Sequence, residues 1–148
     1  MAGNPLISQG SLNRLRANVV VTDWPNLNVT SSFLGKAGVS LGLEGESTVF
    51  IPTMTGAVTS PEPYMMIGLT VNLIRSQSIA NQYKLKMESS ALIGNITVVP
   101  DSSTLSDYLL VNCGIQSVRE LNFSGDDAGF VVTIRGYYML NNNMWALL

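Results

Sequence analysis

The sequence predicts a mainly β protein, an antiparallel sandwich or barrel with one flanking α-helix. Three observations predict this class. Short segments alternate apolar and polar residues with the two-residue period of a strand, turn residues separate these segments, and only one segment has helical spacing. The 148 residues suit a single domain, which we place at residues 1–148, with residues 1–11 as a flexible arm.

The two clearest strand patterns lie between Gly38 and Ile74, in a stretch with no Lys, Arg or His. At 39–46 and 65–73, most odd-numbered residues are apolar and most even-numbered ones are small or polar. Because successive strand side chains point to opposite sides, each segment has one apolar and one polar face. The only charges on the predicted polar face are acidic, and its residues are Ser40, Gly42, Glu44, Glu46, Gly68, Thr70 and Asn72.

The remaining strands follow from β-branched residues and turn signals. A first strand at 16–23 is expected to end at Trp24-Pro25-Asn26, and a shorter strand at 27–34 to end in a turn at 35–38. Residues 39–44 and 47–51 are expected to form a hairpin around Gly45, or else one long strand with a bulge there. Further strands are predicted at 64–74, 95–99, 108–118 and 129–140.

One helix is predicted from Ser78 to about Ala91. Ser78 is a typical N-cap residue, and apolar residues follow it at helical spacing. The predicted buried stripe consists of Ile79, Ala80, Tyr83, Met87 and Ala91.

Residues 52–63 contain three prolines and a single charged residue, and they predict a protruding loop. Its uncharged, slightly apolar character is typical of a contact surface. The tail after residue 140 ends in apolar residues, so we expect it to dock on its own body or on a neighbouring subunit. The candidate contact residues of this loop and tail are Pro52, Met54, Val58, Pro61, Pro63, Trp145 and Leu148.

The composition favours an oligomer. Charged residues make up 12% of the chain, about half the roughly 25% of ordinary soluble domains. No apolar run approaches the ~20 residues that a membrane-spanning helix needs, so no membrane insertion is expected. A surface so poor in charge predicts contacts with copies of the same chain or with partners.

Residues with catalytic or ligand-binding chemistry are scarce. The chain has no His, one cysteine (Cys113) and no glycine-rich phosphate loop, so we expect no enzymatic activity, metal or cofactor. Glu44 and Glu46 could form a carboxylate pair, but we interpret them as solvated. The net charge of −2 and the lack of clustered cations argue against tight nucleic-acid binding.

The order of these parts resembles the tail tube proteins of contractile-tailed bacteriophages. The resemblance covers nearly the whole chain and rests on pattern: the cation-free strands at 39–51 and 64–74, the proline-rich loop between them, the helix at 78–91, and the final strands at 108–118 and 129–140. It extends to the Hcp tubes of type VI secretion and to the tubes of R-type pyocins.

The resemblance implies a structural virion protein. Such subunits form hexameric rings that stack into a tube inside a contractile sheath, and each gives four strands to a continuous inner β-barrel. The predicted polar face would then line a channel through which DNA passes without specific binding. The implied partners are other copies of the chain, the tail sheath protein, the baseplate hub and the tape measure protein. The implied location is the phage tail, after assembly in the host cytoplasm.

Several alternatives remain open at this point. A tube-initiating baseplate protein, a tail terminator or an Hcp-like secretion tube would share the fold. A monomeric ligand-binding β-barrel would need an aromatic-lined interior, and the Tyr and Trp residues do not cluster in that way. A small hydrolase is disfavoured because the chain has no His.

Overall fold

The computed structural model of this chain describes Leu6 and residues 17–100, 105–119, 125–126 and 129–145. The fold is mainly β, with one long helix and an antiparallel sheet that curls into a half-barrel, and the predicted fold class is confirmed. The predicted arm at 1–11 lies outside the described residues, apart from Leu6. The elements are β1 (Asn18–Val21), β2 (Leu34–Glu44), β3 (Thr48–Pro52), β4 (Ala57–Pro61), β5 (Tyr64–Ile74), α1 (Ser78–Ser89), β6 (Leu92–Val99), β7 (Tyr108–Arg119), β8 (Gly129–Met139) and α2 (Asn142–Trp145).

Six strands form the main sheet in the order β1-β6-β7-β8-β5-β2, and all neighbours are antiparallel. β5 and β8 pair in continuous register, from Tyr64 opposite Met139 to Ile74 opposite Gly129. β1 and β2 are the edge strands of this sheet. Among the described strands, β3 and β4 pair only with each other and form a separate two-stranded hairpin.

One face of the main sheet packs with α1 around an apolar core. In β5 the odd-numbered residues are buried, and Ile67, Leu69 and Val71 are fully inaccessible to solvent, as the alternation predicts. The 3-10 turn that follows β1 contributes Leu27, and α1 contributes Tyr83. The core therefore joins residues that are distant in sequence on a single face of the sheet.

The helix is confirmed, but its limits and cap differ from the prediction. Gln77 is the N-cap residue in an extended conformation, so Ser78 is the first helical residue instead of the cap. The helix ends at Ser89, and the amide of Ser90 donates to the Lys86 carbonyl. Lys86 is buried although it is charged, because its Nζ lies 3.5 Å from the centre of the Trp24 ring, in a cation–π contact.

The strand predicted at 27–34 is wrong. This segment forms two 3-10 turns, Pro25–Leu27 and Ser31–Phe33, joined to β1 by a single bridge between Val29 and Val19. The turn predicted at 35–38 is also wrong, because β2 runs through it. Gly38 has a positive φ of 70° and lies where the β2–β5 register shifts, so it introduces an irregularity into the strand instead of ending it.

The predicted hairpin of 39–44 with 47–51 is wrong, and so is the alternative of one long strand. β2 pairs with β5, while β3 leaves the main sheet and pairs with β4. The chain changes direction at Gly45, whose φ of 107° is readily adopted only by glycine. The segment at 52–63, predicted as a loop, contains β4 and supplies half of the hairpin.

The other strands agree more closely with prediction. The strand at 64–74 is confirmed at both ends, and those at 108–118 and 129–140 differ by a single residue. The strand at 95–99 begins earlier, at Leu92, and the strand predicted at 16–23 is shorter, since β1 covers only Asn18–Val21 of the described residues there. No helix in the described ranges has the length and apolarity required to span a membrane.

Tyr83 connects α1 to the turn after β1. Its side chain is fully buried, and its hydroxyl donates a 2.7 Å hydrogen bond to the Leu27 carbonyl oxygen. We expect Tyr83→Phe to lower the free energy of unfolding by about 1–2 kcal/mol, because a buried carbonyl would lose its partner. Tyr64→Phe, at an exposed ring, is the matched control; equal unfolding midpoints in urea for both variants would contradict this role.

Burial also predicts a loss of stability at alkaline pH. Burial raises the pKa of the Cys113 thiol from its usual 9.0 to about 11 and raises the pKa of Tyr83 above its usual 10.0. Above about pH 9 the unfolded chain releases these protons before the folded chain does, so the free energy of unfolding falls as the pH rises. Urea unfolding between pH 8 and pH 11 should show this decrease, with a smaller decrease for Cys113→Ala; identical pH profiles for the two proteins would contradict it.

Candidate functional site

The face of the main sheet opposite the core is polar across four adjacent strands. Strands β7, β8, β5 and β2 line an open groove of about 510 Å³ on this face. We call this surface the polar face. Its lining residues are Ser40, Leu41, Gly42, Glu44, Gly68, Thr70, Gln116, Ser117, Arg119, Thr133 and Arg135.

A row of four hydroxyl residues crosses the polar face. Ser40 lies opposite Thr70, Thr70 lies opposite Thr133, and Thr133 lies opposite Ser117. The Thr133 Oγ1 atom is buried and forms no hydrogen bond with any other described residue. The other three residues of the row, Ser40, Thr70 and Ser117, place neutral hydrogen-bonding groups in the middle of the groove.

The next row consists of three glycines and one arginine. Gly42, Gly68, Arg135 and Gly114 lie side by side on β2, β5, β8 and β7. Since Gly68 has no side chain, the Arg135 guanidinium can extend across β5 and form an ion pair with the Glu44 carboxylate on β2. A Cβ atom placed on Gly68 would lie 3.6 Å from Glu44 Oε1, so a larger side chain there would disturb the pair.

This ion pair changes the charge expected for the polar face. The prediction of acidic charges alone concerned the segments at 39–46 and 65–73, and the two further strands of the face add positive charge, Arg119 from β7 and Arg135 from β8. The described lining residues include two arginines and one glutamate, which together have a formal charge of +1. The side chains of Arg135 and Glu44 are 33% and 52% exposed, and an exposed pair of this kind adds only about 0.2–1 kcal/mol to stability.

The predicted channel-lining residues divide into two groups. Ser40, Gly42, Glu44, Gly68 and Thr70 lie together in the groove. Asn72 is not among the residues that line the groove; its side chain is partly buried, and its amide donates a 2.8 Å hydrogen bond to the Gly38 carbonyl oxygen.

Glu46 lies apart from the groove, in the bend between β2 and β3. There it lines a second, smaller cleft of about 360 Å³ with Glu44, Glu62 and Tyr64. The structure therefore separates Glu46 from the hydroxyl row, because the chain leaves the main sheet after Glu44.

The hairpin of β3 and β4 exposes large apolar side chains. Phe50, Ile51 and Val58 are each at least half exposed, and Met54 at the tip is fully exposed. Of the residues predicted to make contacts between subunits, Pro52, Met54, Val58, Pro61 and Pro63 lie in this hairpin or at its base. Trp145 ends α2, and Leu148 lies outside the described residues.

Asn141 holds the base of the hairpin. Its side-chain amide donates to the carbonyl oxygens of Ser47 (3.1 Å) and Glu62 (2.7 Å), and the Glu62 amide donates to the same Ser47 oxygen. Asn141 has a positive φ of 52°, a conformation that Asn tolerates better than most residues. Sequence reasoning missed this role, since an Asn in a polar run after a strand gives no signal of its distant partners.

The described residues contain no cluster of three side chains suited to holding a metal ion. Cys113 is buried on the core side, away from the polar face, and its raised pKa keeps it a neutral thiol. The groove itself presents hydroxyl, amide and guanidinium groups, which can form hydrogen bonds to a polar or anionic surface.

No protein-family model matches the chain, and no curated protein is significantly similar to it.

We expect Asn141→Ala to loosen the hairpin, because it removes two hydrogen bonds and places alanine at a positive φ. Amide hydrogen exchange at Glu62 and in the hairpin should become at least about tenfold faster. Asn141→Gly keeps the backbone conformation accessible and isolates the effect of the lost amide. Asn143→Ala, at an exposed Asn in α2, is the control; equal exchange rates in all variants would contradict the role of Asn141.

Proposed function

We propose that this chain is a structural subunit that assembles with copies of itself into rings, and that the rings stack into a tube whose bore is lined by the polar face. The observation on which the proposal rests is a polar surface that crosses four strands and reaches an edge strand. In the described residues β2 has a hydrogen-bonded neighbour only on the β5 side. A strand of a second subunit can pair with β2 and extend this sheet, and the polar face of the sheet then remains uncovered.

The edge strand supports lateral assembly. β2 is 11 residues long and contains no proline, and no described strand pairs with it on its outer side, where a strand of another chain could be added. Leu43 lies on the apolar side of β2 and yet is half exposed, as expected if a neighbouring subunit covers it. Repeating one head-to-tail contact around an axis closes a ring and removes the free edges.

The hairpin supports stacking along the axis. It lies outside the main sheet, contains no charged residue from Thr48 to Pro61, and exposes Phe50, Ile51, Met54 and Val58. Exposed apolar surface of this kind is typical of a protein–protein contact. We therefore assign the hairpin to the contact between one ring and the next.

The polar face suits the passage of DNA without retention. A row of neutral hydroxyl residues crosses its centre, and the arginine of β8, Arg135, forms an ion pair with Glu44. A polyanion meets hydrogen-bonding groups there but few free positive charges, so it can move along the surface.

The resemblance to contractile-phage tube proteins adds the wider setting to this proposal. The rings would be hexameric and enclosed by a sheath, with the baseplate hub and the tape measure protein as further partners. The assembled protein would belong to the virion, and it would act without catalysis or a cofactor.

The hairpin offers a direct test. We expect excision of Thr48–Pro61, with Asn-Gly joining Ser47 to Glu62, to give a folded subunit that does not form tubes. The join is geometrically feasible because the Glu62 amide already donates a 3.0 Å hydrogen bond to the Ser47 carbonyl oxygen. Negative-stain electron microscopy and size-exclusion chromatography measure assembly, and circular dichroism checks the fold.

A point variant separates loss of the hairpin from loss of its apolar surface. Met54→Asp keeps the hairpin but places a charge at its fully exposed tip, and it should shorten or abolish the tubes. Ser60→Asp, a charge on a less exposed part of the same hairpin, is the comparison variant. Long tubes from the excised protein would refute the stacking role, and wild-type protein that stays monomeric would refute tube formation itself.

A further inference from the structure

The polar face contains two arginines in different electrostatic situations. Arg135 forms an ion pair with Glu44. Arg119 is exposed and forms no ion pair with another described residue. Arg119 lies opposite Val131, four residues along β8 from Arg135, so at a strand rise of about 3.4 Å the two Cα atoms are about 14 Å apart.

The surface between the two arginines could bind phosphate oxygens. Thr133 and Ser117 lie there; the Thr133 Oγ1 atom is itself buried, whereas Ser117 lines the groove. Hydroxyl and guanidinium groups are the side chains that contact the phosphate backbone of nucleic acids. This region therefore has the side chains of a phosphate-binding surface, but one of its positive charges is neutralised by an ion pair.

The neutralisation of the Arg135 charge depends on two other residues. Glu44 provides the carboxylate, and Gly68 leaves the space over β5 that the ion pair occupies. Because the pair is largely exposed, its main consequence is the cancelled charge. With Glu44 the described lining residues of the groove have a formal charge of +1, and without it their charge would be +2.

We propose that Glu44 masks Arg135 from phosphate and so keeps the polar face from retaining double-stranded DNA. When Glu44 is removed, Arg135 and Arg119 together bind the DNA backbone. This inference rests on the proposed function for its biological meaning, since it specifies how the bore would avoid holding its cargo. The masking itself is a property of a single subunit and can be measured without assembly.

The test is DNA binding by unassembled subunits, isolated by size exclusion. Fluorescence anisotropy with a labelled 30-base-pair duplex compares wild type, Glu44→Gln, and Glu44→Gln combined with Arg135→Gln. Glu44→Gln should bind more tightly than wild type, and the double variant should return to the wild-type affinity. One added phosphate contact makes the salt slope steeper by about 0.9, so the advantage of Glu44→Gln should shrink about threefold between 50 and 200 mM salt.

Glu46→Gln is the matched control, because it changes the net charge equally but lies outside the groove. Gly68→Val provides a second route: it disturbs the ion pair without changing any charge, and it should also raise the affinity. The Gly68→Val variant decides the question if Glu44→Gln does not fold.

Three results would overturn the masking role. These are a Glu44→Gln affinity equal to that of wild type, an equal gain for Glu46→Gln, or a double variant that still binds tightly. Failure of the proposed function has a different signature. If wild-type protein forms no tubes but Glu44→Gln binds DNA, the tube is refuted and masking stands; if tubes form and Glu44→Gln does not bind, masking alone is refuted.

Discussion

The antiparallel pairing of β5 with β8 is the constraint on which the other features of this fold depend. The two strands are in register over 11 residue pairs without a break. A shift of one residue would move Thr70 or Thr133 into the core and bring Leu69 or Ile134 to the polar side, because strand side chains alternate. Burial of the apolar side under α1 therefore fixes the polar side at the same time. The hydroxyl row and the reach of Arg135 to Glu44 both follow from this register.

The chain keeps its two kinds of exposed surface separate. The main sheet ends in an edge strand with a polar face on one side, whereas the exposed apolar residues of the hairpin lie outside that sheet. Lateral and axial contacts can then use different parts of the subunit. In the proposed assembly other subunits would cover both surfaces, and surfaces covered in this way do not need charge for solubility, which would account for the low content of charged residues. Asn141 links the two regions, because it connects the end of β8 to the base of the hairpin.

Local patterns in the sequence predicted some of these elements and not others. Residues 64–74 were predictable because every odd-numbered residue among them is apolar, and α1 because its apolar residues recur at helical spacing. The prediction of a strand at 27–34 failed because 3-10 turns form hydrogen bonds locally there. The prediction of a turn at 35–38 failed because Gly38 bends a strand that continues. The grouping of Ser40, Gly42, Gly68 and Thr70 followed from two local patterns. Arg119 and Arg135 could not be assigned to that group, since only the tertiary pairing of β7, β8 and β5 brings them there.

The central claim is that the polar face surrounds a bore shared by several subunits. Electron cryomicroscopy of the assembled wild-type protein tests it most directly, because a map that resolves strands locates both β2 and the hydroxyl row. We predict a closed ring in which β2 pairs with a strand of the neighbouring subunit, and in which Ser40, Thr70 and Thr133 face the axis. A ring with these residues on its outer wall, or with β2 left unpaired, would contradict the account.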